Sequence, residues 1–202
     1  EKSSLILSSN SRPLEALSLK LENRFNTNWL PSSANWSVEL INGSTESSYD
    51  NKKSMLSGAR VVISPHENLR FEFLQTAQWG DQNDKLYSSN IDAILFGNTN
   101  EGSNSNLNKL AGFGVSYSIP LNKNTYRFYS QAIGEDEAGS LPSCYAWMAG
   151  FELTAPAMKF PTTLTIEAVD TRVKESTHGN CGPNTMYNNG VYDYINYDTV
   201  LG

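Results

Sequence analysis

The feature that most restricts this chain is an alternation of period two, repeated in stretches of about ten residues. In Leu69-Arg70-Phe71-Glu72-Phe73-Leu74-Gln75 the odd positions are mostly apolar and the even ones mostly polar, and Trp79 closes the apolar face. Ala111 to Ile119 alternates without a break: Phe113, Val115 and Tyr117 share one face, and Gly112, Gly114, Ser116 and Ser118 share the other. Tyr145, Trp147, Ala149, Phe151 and Leu153 form the same kind of face opposite Ala146, Met148, Gly150 and Glu152. Shorter versions occur at Leu17, Leu19 and Leu21, at Trp36, Val38 and Leu40, and at Leu164, Ile166 and Ala168. Side chains of a strand point alternately to its two faces, so this pattern makes strands with one greasy face. No segment sustains a helical repeat, and the reading is an all-β chain.

The connections alternate as well. Short turns are expected at 64–68, 120–124 and 155–161, and longer polar connections at about 42–53, 80–90, 98–108, 135–143 and 174–189. Short turns at one end and long loops at the other describe an antiparallel up-and-down meander, the organisation of an outer-membrane barrel. A soluble sandwich buries the apolar face, whereas a transmembrane barrel turns it to lipid, and periodicity alone fits both. Three features favour the barrel. The strands suit a tilted bilayer crossing. Trp29, Trp36, Trp79, Tyr126 and Trp147 fall toward strand ends, where an interfacial girdle would sit. The other face is Ser, Gly, Gln, Arg and Glu rather than a second greasy surface.

Charge narrows the partners. The 202 residues carry 15 basic and 21 acidic side chains, a net charge of −6, which disfavours a nucleic-acid partner. No apolar run reaches the roughly 20 residues of a membrane-spanning helix. The two cysteines, Cys144 and Cys181, have neither metal-pair nor CxxC spacing; a disulfide between two loops and two free thiols both remain open. His66 and His178 lack a His or Cys at ligand spacing, so no metal or other cofactor is expected. The Glu135-Asp136-Glu137 cluster has the residue type of a glycosidase acid pair. A strand running into a loop sends consecutive acids to alternating sides, however, and no second carboxylate motif stands by as partner. The cluster is therefore read as a polar loop entrance, hydrogen-bonded to loop N–H groups, paired with an Arg such as Arg127, or open to a cation. Glycines on the polar face are read as making room for neighbouring side chains. Loops such as 98–106 and 180–189 are rich in Asn, Ser and Tyr, groups that hydrogen-bond sugar hydroxyls and stack on sugar faces.

Several stretches resemble one family. Ser4-Leu5-Ile6-Leu7-Ser8, Ala59-Arg60-Val61 with Thr76-Ala77-Gln78-Trp79-Gly80, and Leu110-Ala111-Gly112-Phe113 resemble segments of the Wzi-like capsule assembly proteins of Gram-negative outer membranes. So do Ile133-Gly134-Glu135-Asp136-Glu137-Ala138-Gly139, Glu167-Ala168-Val169-Asp170-Thr171 and Tyr187-Asn188-Asn189-Gly190-Val191-Tyr192. The matches run in family order along nearly the whole chain. The resemblance implies that residues 1–202 are a single piece of a longer, many-stranded barrel, lacking the N-terminal and C-terminal parts. It further implies a monomer in the bacterial outer membrane, embedded in outer-membrane lipid. Its function would be non-enzymatic and lectin-like: attachment of capsular or extracellular polysaccharide to the cell surface. Glu135, Asp136, Glu137, Tyr187, Tyr192 and Tyr194 are the residues expected to contact that polysaccharide. A porin-like diffusion channel and a soluble β-sandwich carbohydrate-binding module are the competing readings.

Overall fold

The computed structural model describes residues 4–6, 13–46, 53–80, 107–138, 141–156, 160–173, 181–183, 186–187, 194–196 and 199–201. Eight strands form one antiparallel sheet in sequence order: β1 (Glu15–Arg24), β2 (Asn35–Glu46), β3 (Lys53–His66), β4 (Leu69–Trp79), β5 (Leu107–Leu121), β6 (Asn124–Ala138), β7 (Leu141–Ala155) and β8 (Thr162–Asp170). Two short strands, β9 (Ile195–Asn196) and β10 (Thr199–Val200), pair with each other. The turns after β3 and β5 fall within the expected spans, at Glu67–Asn68 and Asn122–Lys123, with Pro65 inside β3 at a register irregularity. β7 ends just before Pro156, and Asn122 adopts the left-handed φ of 57° that Asn tolerates. These connections define a turn end; the connections after β2, β4 and β6 define a loop end. The sheet is open: among the described residues β1 and β8 each pair on one side only.

The expected 135–143 connection is mostly strand. β6 and β7 continue past the acidic cluster, with Asp136 opposite Ser143, Glu137 opposite Pro142 and Ala138 opposite Leu141. Polar side chains concealed the strand, because the ladder is made by backbone groups and polar residues do not oppose it when both faces are wet. The expected connections at 81–90 and 98–106 lie outside the described residues.

The polarity of the sheet is inverted relative to a soluble protein. Phe71, Phe113, Tyr117 and Trp147 are 39% to 52% exposed, while Glu72, Thr76, Gln78 and Gln131 on the other face are only 4% to 5% exposed. A soluble sandwich would bury the aromatics against a second sheet. Here they form a continuous outer surface with Leu17, Leu19, Leu21, Leu40, Phe73, Val115, Ile119, Phe128, Leu164 and Ile166, far larger than water tolerates. Register lines the rings up in rows. Phe113, Tyr145 and Trp147 cluster toward the loop end, with centroids 6.5 and 5.8 Å apart, and Tyr126, Phe128 and Phe151 toward the turn end, at 6.4 and 5.2 Å. Of the five residues expected in a girdle, Trp79 departs. It is buried beside Ala77 and Met55, with its Nε1 donating to Ser57 Oγ at 3.0 Å. Trp147 lies within β7 rather than at its end, because β7 runs on beyond the apolar band.

On the inner face, Tyr129 lies flat against Gly150, its direct cross-strand partner, where any Cβ would overlap the ring. Its hydroxyl donates to Glu167 on β8, and the Arg127 guanidinium sits over the ring at 4.8 Å. Gly112 similarly leaves space for Ile133 on β6. Arg60 Nε donates to the buried Glu72 carboxylate at 2.6 Å, with Glu39 3.8 Å from Arg60 Nη1 on its other side. Two substitutions test the inversion. Phe128→Arg, on the outer band toward the turn end, should destabilise the protein in a lipid-refolding equilibrium, by less than the roughly 2–4 kcal/mol that a midplane charge costs. Gly150→Val, which displaces Tyr129, should cost about 1–3 kcal/mol.

Candidate functional site at the loop end

The inner face changes character along its length. Toward the turn end it is charged: Lys20, Glu39, Arg60, Arg70, Glu72, Arg127 and Glu152. Toward the loop end Leu56, Leu110, Ile133, Ala146 and Met148 point inward and need cover. Cover comes from the two ends of the chain. Leu5 and Ile6, and Val173, Cys181, Met186, Tyr194 and Leu201, pack on those five to form the main core. The stretch 174–189 had the composition of an outer loop, but its described residues 181–183 and 186–187 include Cys181 and Met186, buried in that core.

Named contacts fasten this strap. Cys144 and Cys181 form a disulfide across 37 residues of sequence, with Cα atoms 5.3 Å apart, which settles the choice between paired and free thiols. The pairs Gly134–Tyr145 and Asp136–Ser143 flank Glu135 on β6 and Cys144 on β7, so carboxylate and disulfide hold the strap from one stretch of the β6–β7 ladder. Glu135 Oε2 accepts from the Tyr187 N–H at 3.0 Å, and its Oε1 accepts from Asn108 Nδ2 at 3.4 Å. The Tyr187 hydroxyl donates to the Leu5 carbonyl, and the Leu5 N–H donates to Gln131 Oε1 at 2.7 Å. Gln78 uses both ends of its amide. Its Oε1 accepts from Tyr194 N–H at 2.9 Å, and its Nε2 donates to Thr45 Oγ1 and Ser54 Oγ at 3.1 and 2.7 Å. The Tyr194 hydroxyl donates toward the Thr76 and Asn108 carbonyls at 3.0 and 2.9 Å and accepts from Thr76 Oγ1 at 3.2 Å. Asn196 Oδ1 accepts from the Glu46 N–H at 3.1 Å. Cys144, Tyr187 and Tyr194 all sit at left-handed φ, of 51°, 61° and 52°. That geometry costs a non-glycine residue about 1–2 kcal/mol and persists only where surrounding contacts impose it.

Of the six residues expected to contact polysaccharide, the structure brings Glu135 and Tyr187 together at the loop end and both are partly buried. Tyr194 is wholly buried and its hydroxyl is engaged on three sides, so it offers no ring face to a sugar and acts as a strut beneath the strap. Asp136 and Glu137 continue β6 beyond Glu135; their side chains, and Tyr192 entirely, lie outside the described residues. Glu135 takes the loop N–H expected of it, whereas Arg127 lies eight residues down the strand on Tyr129. Gln78, Gln131, Thr45 and Asn196 were missed. Their signal was present as inward parity, since Gln78 and Gln131 fall on the polar face; their partners come from distant chain ends.

Burial, reinforced by the nearby Glu135 carboxylate, pushes the Tyr187 phenol above its ordinary value, and burial does the same to Tyr194 against the pull of its Thr76 hydrogen bond. A phenol raised in the fold contributes stability that is complete below the unfolded value of about 10 and is lost as pH climbs through the higher folded value.

A sheet with an aromatic-rich apolar exterior, and an interior of buried amides, hydroxyls and ion pairs, is the wall of a transmembrane β-barrel. The chain belongs to the capsule assembly protein Wzi family, whose model matches residues 1–202. It is similar to the solved Escherichia coli Wzi, an outer-membrane protein involved in group 1 capsule assembly and described as a carbohydrate-binding β-barrel. The two share 25% identity and a TM-score of 0.70, covering 95% of this chain and 40% of that one. An uncharacterised 55.8 kDa protein from the cps region of Klebsiella pneumoniae is 33% identical over 122 residues, 59% of this chain and 24% of that protein. The chain thus spans two fifths or less of the proteins it matches, and its location is the outer membrane.

Tyr194→Phe should destabilise the strap by about 1–3 kcal/mol, by leaving buried polar groups short of a partner. Reducing the disulfide should remove about 2–4 kcal/mol of constraint. Limited proteolysis of 173–201 reads both, and in an alkaline titration the same segment should stay protected to about pH 10 and be released above it.

Proposed function

We propose that this chain forms the section of an outer-membrane barrel wall that presents a polysaccharide-holding surface at the loop end. The observation that carries this reading is the inverted polarity combined with the strap. The strap covers the inner face of this wall at the loop end, and a surface built on it can hold a polymer without passing it. On this reading Glu135, Asp136, Glu137, Tyr187 and Tyr192 contact sugar hydroxyls and ring faces, and Tyr194 supports them from beneath. Each contact is weak, and a polymer that repeats its epitope supplies avidity. The role is binding without catalysis. The Glu135 carboxylate accepts from the Tyr187 N–H and the Asn108 amide, which suits an orienting group better than a proton donor. Neighbouring strands of the whole protein pair with the edges of β1 and β8, since hydrocarbon cannot satisfy bare backbone groups there.

A diffusion channel is disfavoured by the same packing, with Leu110, Ile133, Tyr194 and Leu201 fully buried where the strap lies on the inner face. The intact protein in planar bilayers should show no stable, sizeable current. Immobilised capsular polysaccharide of its own species should retain the intact protein, and Glu135→Ala together with Tyr192→Ala should lower retention by about tenfold or more through lost avidity. Retention of neither protein on any such polymer would refute the reading.

A further inference from the structure

Among the described residues, two buried side-chain nitrogen atoms have no hydrogen-bond partner: Nε of Arg70 and Nε of Arg127. Both belong to the charged, turn-end half of the inner face. Arg60 on β3 is held by Glu72 and Glu39, so the two exceptions are not typical of arginine in this sheet. A buried guanidinium donor without a partner carries a desolvation penalty, and such a group calls for an ion or water to explain it.

Register brings the two together. Arg70 on β4 stands opposite Ser116 of β5, which stands opposite Tyr129 of β6; Arg127 on β6 stands opposite Ser118 of β5. The arginines therefore flank β5 from either side, about two strand spacings or 10 Å apart, with two serine hydroxyls between them. Arg127 is pre-positioned: its guanidinium lies over the Tyr129 ring, which is fixed by Gly150 beneath and Glu167 at its hydroxyl. Glu152 is its cross-strand neighbour, yet no ion pair joins them. A cavity of about 20 Å³ opens beside Arg70, bordered by Glu72, Ser116, Tyr129, Gln131 and Met148; Arg127 adjoins it through the Tyr129 ring. Arg70 also borders a basin of about 630 Å³ that carries Lys20, Glu22 and Arg24, with Lys20 paired to Glu22. The small cavity admits one oxygen-sized group, and the basin has room for the body of a ligand.

We propose that Arg70 and Arg127 form an oxyanion site inside the barrel, taking a carboxylate or a phosphate group whose remainder lies in the basin. Guanidinium matches both geometries through paired N–H donors, and inward arginines select anions in pores. The site adjoins the strap, since Gln131 and Met148 border its cavity, but it uses none of the residues assigned to sugar contact and stands whether or not those hold polymer.

The intact protein in detergent at low salt is titrated with inorganic phosphate and with glucuronate, following heat of binding. Saturable binding of at least one is expected, weakened about tenfold in Arg70→Gln or Arg127→Gln and lost in the double variant, while Lys123→Gln in an exposed turn leaves it unchanged. Arg127→Lys keeps the charge but loses the fork, and should weaken glucuronate more than phosphate. Tighter glucuronate assigns an acidic sugar as source; tighter phosphate assigns a phosphate ester. A heat-dependent shift in gel mobility identifies the folded variants, and if the double variant does not fold, the single variants decide. Absence of saturable binding of either anion, or undiminished binding in folded Arg70→Gln and Arg127→Gln, overturns the proposal.

Discussion

The structure depends on one requirement: in hydrocarbon, every backbone N–H and C=O must find a partner within the protein. The continuous antiparallel pairing from β1 to β8 meets it across the sheet. Once the ladder is continuous, side-chain polarity is free to invert, because lipid makes no demand for polar groups. Leucines and aromatics then face outward, and Glu72, Thr76, Gln78 and Gln131 are enclosed. The inner face must in turn satisfy what it encloses, which is why Gln78 and the Arg60–Glu72 pair are fully engaged.

The second constraint follows from the first. The inner face is not polar throughout, since Leu56, Leu110, Ile133 and Met148 also point inward. An apolar patch facing an enclosed aqueous space needs cover, and the strap supplies it. Its fastenings combine a covalent bond at Cys144–Cys181, a carboxylate grip at Glu135 and a buried phenol at Tyr194. Left-handed backbone at three of these anchors indicates that the contacts, not local preference, set the conformation. The strapped apolar patch and the charged stretch beside it give the inner face two chemically distinct regions.

Much of this was legible from residues alone. Alternation at 111–119 and 145–153 marked strands and assigned each side chain a face, and prolines and asparagines marked the turns. The inversion itself was not readable, because Phe71 or Trp147 obeys the same period whether it meets lipid or a second sheet. Strand at 136–138 and 141–143 was concealed by acids and serine. The strap was concealed by a composition, in 174–189, that suits a solvated loop equally well. Inward Leu110 and Ile133 were the overlooked hint, since they contradict a wholly polar lumen.

By itself the sequence determined strand positions, facing parity, turn sites and family membership, because these depend on local periodicity and on short ordered motifs. Tertiary structure alone decided which face is outside, which cysteine and tyrosine anchors the strap, and which arginine Nε atoms are buried without a hydrogen bond. Those outcomes rest on contacts between residues 37 to 182 positions apart, and no local pattern encodes which distant groups will meet.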